Sequence, residues 1–320
     1  MEARIRITGA ILIGVVCMLA LAACPKGSND GDGGTANGAA SKPVPVPDPT
    51  EIKMAFVPST EAEKIVENTA ELDKLISDKL GIPVKSVVLP HYVAAVESLG
   101  TGDCLVAWIP PLAYIYANDR HQARVILKAV RKGTPFYKGQ IIVRADSDIQ
   151  TVADLKGRKM AFVDPNSTSG NLYPRALLLA AGIDPDNDLG TSIFSGAHDT
   201  VVIAVLQGSV DAGACYVDAR TRVVDLYQKV MDETRVIAET EPIPGDAVVL
   251  AGPKFLSDEW VKRITDAIVE VMRSVEGKKV IYDIYEIEDL LPASDADYAP
   301  VRKMAESLGL DVEAQLKKGE

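Results

Sequence analysis

The chain has 320 residues, with 34 basic against 45 acidic side chains and a formal net charge of −11. An acidic chain with no basic cluster is a poor partner for nucleic acid. It can still hold an anion in a buried site, because local dipoles rather than net charge decide that.

Residues 1–23 read as an export signal. Arg4 and Arg6 form a short basic region, residues 7–20 are mostly apolar, and Leu21-Ala22-Ala23 is a small-residue cleavage pattern with Cys24 directly behind it. The apolar run is too short for a comfortable membrane span, and no other segment is apolar for long enough to be one. Removing residues 1–23, which hold Glu2, Arg4 and Arg6 for a net of +1, takes the formal charge from −11 to −12. Leu-Ala-Ala-Cys resembles the lipobox of bacterial lipoproteins, which implies that Cys24 is lipidated and that the rest lies outside the cytoplasm, held to a membrane.

Residues 24–50 form a tether. Gly, Ser, Asn and Asp make its first part flexible, and the alternation "KPVPVPDPT" makes its end stiff and extended. Such a chain spans roughly 25 to 30 Å.

Residues 51–320 suffice for two lobes of ordinary size. The runs "IKMAFVP", "VKSVVLP", "CLVAWIP", "ARVILKAV", "GQIIVRA", "RKMAFVD", "DAGACYV", "TRVIAET" and "AVVLAG" are rich in Val and Ile, bounded by Gly, Pro or Asp, and predict strands. Helical patterns lie between several of them. Thr60 and Glu63 make a T-x-x-E capping box ahead of Ile65, Thr69, Leu72, Ile76 and Leu80 on one face, and Gly81 closes that helix. Ser257 precedes Val261, Ile264, Ile268, Val271, Met272 and Val275 at helical spacing. Alternating strands and helices predict an α/β protein with mainly parallel sheets, two of them, and a cleft between two lobes.

Cys17 leaves with the signal, and Cys104 and Cys215 sit in strand-like runs, where buried thiols are expected rather than a bridge. His91, His121 and His198 are far apart, and no spacing calls for a metal or a cofactor.

The chemistry concentrates at strand-to-helix junctions. In "VDPNSTSGNLYPRALLLAAG" the strand ends at Asp164 and Ser167, Thr168 and Ser169 follow before a helix starting near Ser169. A cap needs one hydroxyl, and here are three. Free N–H groups and the helix dipole, joined by rotatable hydroxyls, would make a neutral pocket for a tetrahedral oxyanion. No G-x-x-x-x-G-K-[ST] pattern is present, so phosphoryl transfer has no visible machinery. In "FSGAHDTVVIAVLQGSVDAGACYVDAR", Ser195, Gly196 and His198 precede a second helix, and a strand then runs into a loop at Asp218. Asp218 is read either as a site carboxylate or as the cap of the helix after it.

The order of these motifs resembles the phosphonate, phosphite and phosphate binding proteins of ABC transporters, the PhnD-like periplasmic binding proteins. The likeness runs over residues 52–252 and is most specific in "VADLKGRKMAFVDPNSTSGNLYPRALL", "SGAHDTVVIAVLQGSVDAGA" and Asp218. It implies a two-lobed clamshell of the type II binding proteins, with residues 51–137 plus 245–320 as one lobe, residues 138–244 as the other, and "TPFYKGQ" and "ETEPIPGD" as the crossings. It implies further that Ser167, Thr168, Ser169 and His198 donate to the oxyanion, with Asp218 accepting from a P–OH or pairing with a ligand ammonium. Ser59 and Thr60 face them from the other lobe, and an aromatic near Ile109, with Tyr114 as the nearer candidate, covers the ligand. The chain is then a monomeric receptor that delivers its solute to an ABC permease. Rival readings are the same fold with another oxyanion or a small organic solute, a sensory receptor, and an extracytoplasmic hydrolase using Ser, His198 and Asp199 or Asp218. The last lacks a G-x-S-x-G elbow.

Overall fold

The apolar, β-branched runs marked in the sequence all become strands, and their order builds two sheets joined by a pair of crossings. The structure is a computed structural model that describes residues 46–60 and 62–309. The signal segment, Cys24 and the tether up to residue 45 lie outside them.

The chain opens with β1 (Ile52–Phe56), α1 (Ala62–Leu80), β2 (Val84–Val88), α2 (Tyr92–Thr101), β3 (Val106–Ile109), α3 (Pro111–His121) and β4 (Arg124–Val130). It crosses through β5 (Phe136–Tyr137) into β6 (Gly139–Arg144), β7 (Lys159–Phe162), α4 (Tyr173–Ala180), β8 (Thr191–Phe194), α5 (His198–Leu206), β9 (Ala212–Tyr216), α6 (Val230–Glu233) and β10 (Thr234–Glu239). It returns through β11 (Ile243–Pro244) to β12 (Ala247–Leu250), α7 (Asp258–Arg273), α8 (Val275–Tyr285), β13 (Asp289–Pro292) and α9 (Ala299–Ser307). The first sheet has the order β13-β4-β12-β3-β1-β2, the second β10-β6-β9-β7-β8, and β5 pairs with β11 alone.

The two helices whose apolar stripe was read from the sequence both pack on the first sheet's layer, and the second of them ends at Arg273, so that Val275, expected on its stripe, is exposed at the start of α8. Ile65, Leu72, Ile76 and Leu80 of α1 are buried, as are Ile264, Ile268, Val271 and Met272 of α7. Ser257 caps α7, its Oγ accepting from the Trp260 amide at 3.3 Å. Cys104 and Cys215 are buried and free.

The sheets are mixed rather than mainly parallel. β1 runs parallel to β2 and β3, and β7 to β8 and β9. In contrast β12 runs antiparallel to β3 and β4, β13 to β4, and β6 to β9 and β10. Parallel neighbours need a long crossover, usually a helix. β6 and β12 instead follow the short crossings β5 and β11, so each enters its sheet from the end at which β7 and β3 finish.

Both crossings carry a glycine set by close backbone approach. A Cβ on Gly139 would lie 2.5 Å from the Ser169 carbonyl oxygen, and one on Gly245 would lie 2.0 Å from that of Ala129.

Candidate ligand-binding site

Strands that finish toward one another leave their following helices with N-termini facing a shared space. That space is a cavity of about 370 Å³, lined from the first sheet by the loops after β1 and β3 and the turn after β4, and from the second by the loops after β7 and β9 and the start of α5. It lies in the lower part of the size range of small-molecule sites.

The β7–α4 junction supplies the hydroxyl cluster, and the three hydroxyls divide their work. Ser167 and Ser169 line the cavity. Ser167 also caps: its Oγ accepts from the Gly170 amide at 3.1 Å, which leaves its own proton free to donate. The segment behind it is a single π-turn, Thr168–Leu172, so the α-helix proper starts at Tyr173 rather than near Ser169. Gly170 permits that turn, since a Cβ there would lie 2.4 Å from a methyl of Val163. Thr168 does not line the cavity. Its Oγ1 accepts from the Leu112 amide of α3 at 2.9 Å, a buried bond from one sheet's layer to the other's.

His198 opens α5, where a histidine nitrogen can be fixed by its surroundings. Its Nδ1 accepts from the Tyr216 amide at 3.1 Å, so in the neutral ring Nε2 carries the proton and is a donor. Burial pushes the imidazole down to about 3 and holds it neutral. The ring sits edge-on to Tyr216 at 4.7 Å, and the His198 amide donates to the Ser59 carbonyl at 3.0 Å, a second bond between the layers.

From the opposite layer come Ser59, Thr60, Tyr92 and Trp108. The box expected of Thr60 and Glu63 does not close at its threonine end: the Thr60 hydroxyl is buried and has no hydrogen-bond partner. The Tyr92 hydroxyl and the Trp108 indole N–H are in the same condition. Three buried polar groups without a protein partner, all lining one cavity, are left to a ligand or to water. Tyr137, from crossing β5, lines the same space; burial, with Asp246 nearby, pushes its phenol up, while hydrogen bonding to Ser169 and Thr168 works the other way.

Tyr114 is not at the site. Its ring lies 4.9 Å from that of Tyr298 and its hydroxyl donates to Asp295 at 2.9 Å, because its position in α3 turns it toward the segment before α9. Other aromatic residues, Tyr92, Trp108 and Tyr137 among them, line the cavity instead. Tyr92 could have been found, since "LPHYVAA" is one more strand-to-helix junction; Trp108 stands next to the expected Ile109, which also lines the cavity.

Asp218 lines the cavity and also stands at the N-cap position of a 3-10 turn, Ala219–Val223, so a full helix does not follow it. Its side chain makes no capping bond; it pairs with Lys132. The other cations that line the cavity are also paired: Arg131 with Asp246 at 2.8 Å, Arg222 with Glu286 at 3.1 Å and Lys138 with Glu239 at 3.0 Å. The donors without partners are therefore neutral, and among the described residues no group of His, Cys, Asp and Glu could hold a metal.

Residues 54–298 match the family described as "ABC transporter, phosphonate, periplasmic substrate-binding protein". The chain is 27% identical to the phosphate-import protein PhnD of Mycolicibacterium smegmatis over 96% of this chain and 98% of that one. It is 27% identical to the phosphonates-binding periplasmic protein of Escherichia coli over 71% and 68% of the two chains. The structure of PhnD1 from Prochlorococcus marinus in complex with methylphosphonate superposes with a TM-score of 0.73 at 21% identity, covering 82% of this chain and all of that one.

Proposed function

Since the chain belongs to the periplasmic phosphonate-type substrate-binding proteins of ABC transporters, we propose that it captures a small phosphorus oxyanion, a phosphonate, phosphite or phosphate, and presents it to its permease. The observation that carries this reading is three buried, partnerless donors around one cavity, Thr60, Tyr92 and Trp108, with Ser167, Ser169 and His198 lining the same space from the other side. Tetrahedral oxyanions are acceptors in every direction. Neutral donors and helix N-termini stabilise such charge without a counter-cation and let it go again.

The lobes, residues 51–137 plus 245–320 and residues 138–244, close on the solute by bending at β5 and β11. Closure brings together the Leu112 amide with Thr168 and the His198 amide with Ser59. Binding free energy that favours the shut form lets a permease tell a loaded receptor from an empty one. The receptor is held to its membrane by lipid on Cys24 through the tether of residues 24–50, and acts as a monomer.

Titration calorimetry of the full chain with phosphate, phosphite, methylphosphonate and 2-aminoethylphosphonate, beside a Ser167→Ala, Ser169→Ala double variant, tests the reading. Tight binding of one compound, lost in the variant, is expected. Heat from none of them in a folded protein overturns it and directs the search to organic solutes.

A further inference from the structure

The carboxylates that line the cavity are answered, whereas several donors are not. Asp246 has Arg131, Glu286 has Arg222 and Asp218 has Lys132, while Glu288, exposed at the rim, accepts from the Gly133 amide at 2.9 Å. Lys132 is delivered by a tight turn in which Arg131 and Thr134 exchange backbone bonds and Lys132 and Gly133 stand at φ 51° and 69°. Two consecutive left-handed residues are what such a turn requires. Asp218 is left-handed as well, at φ 72°, and its carboxylate serves nothing in its own element. The turn fixes where Lys132 leaves the backbone, at a cavity-lining carboxylate that its own element does not use.

We propose that Lys132 determines specificity: by occupying Asp218 it removes the carboxylate that would take a ligand ammonium, so the site selects a phosphorus oxyanion with an uncharged substituent, or none, over one that bears an amine. This rests on the oxyanion reading above and narrows it. An ammonium brought to Asp218 must displace Lys132 and leave that charge beside its own, a like-charge contact that disfavours the wrong ligand. The oxyanion end of the ligand is met by donors elsewhere in the cavity.

The test compares two affinities in each of three proteins by calorimetry: the tighter of phosphate and methylphosphonate as reference, and 2-aminoethylphosphonate. In the native chain the reference binds more tightly by about ten-fold or more; Lys132→Gln narrows that gap by about ten-fold, and adding Asp218→Asn to it reopens the gap. An amine compound that binds the native chain as tightly as the reference overturns the proposal. So does a gap unchanged in Lys132→Gln, or a gap that stays narrow in the double variant. If no phosphorus compound binds the native chain, there is no reference ligand; the oxyanion reading itself has then failed and takes this proposal with it.

Discussion

At the scale of single residues, the most informative groups are those with nothing to bond to. The Tyr92 hydroxyl lines the cavity and is buried without a partner, so an oxyanion seated there would meet it. Tyr92→Phe should therefore weaken oxyanion binding by about ten-fold while leaving the ligand-free chain, whose opened cleft lets water reach the hydroxyl, about as stable as native; paired thermal melts with and without ligand read both effects, and loss of stability in the empty protein would assign Tyr92 a structural role. His198 gives a pH signature. Its folded-state value, about 3, lies below its ordinary 6.5, so within that window the unfolded chain holds a proton that the folded chain does not. The stability is complete above pH 6.5 and is lost as pH falls toward 3. Urea midpoints should drop across that range, and His198→Gln should flatten the slope; equal slopes in both proteins would mean that the imidazole titrates freely.

Elements decide which of the chemically similar hydroxyls line the cavity. Ser167, Thr168 and Ser169 are adjacent, yet the π-turn fans them apart: two face the cavity and Thr168 reaches Leu112. Thr168→Val should leave the buried Leu112 amide unpaired, at a cost of about 1–3 kcal/mol in the closed form. Its affinity falls although it loses no ligand contact, and a variant as tight as native would show that the bond does not support closure. At the crossing β5–β6 the restriction is steric. Gly139→Ala puts a methyl 2.5 Å from the Ser169 carbonyl, and either the crossing or the cradle must move. Binding about ten-fold weaker or worse, in a chain that still melts cooperatively, is expected from calorimetry.

For the whole molecule the question is closure. Contacts join the two sheets' layers: the Ser59 carbonyl with His198, Leu112 with Thr168, and the pairs Lys132–Asp218 and Arg222–Glu286. Under the closure proposed above these bonds belong to the shut form, and a ligand that favours that form would favour them too. Small-angle scattering should show the chain compacting when its oxyanion is added, and an unchanged radius at saturation would remove closure from the mechanism.

Much of this was written in local pattern. Strand runs, helix stripes, the Ser257 cap, the hydroxyl-rich junction and His198 are set by neighbours a few residues away, and short-range sterics and hydrogen bonding make such features legible in one dimension. Strand direction was not, because it depends on whether a chain enters a sheet through a helix or through a short crossing. Nor was the placement of Tyr114, whose phase in α3 turns it to Asp295, or the partner of Asp218, which comes from a turn 86 residues earlier in the chain. The α/β class, most of the elements and the hydroxyl-rich junctions could be read one residue after another along the chain. Which hydroxyls and aromatic residues line the cavity, and which charges there are already cancelled, came from the folded chain alone, since each of those depends on groups distant in sequence.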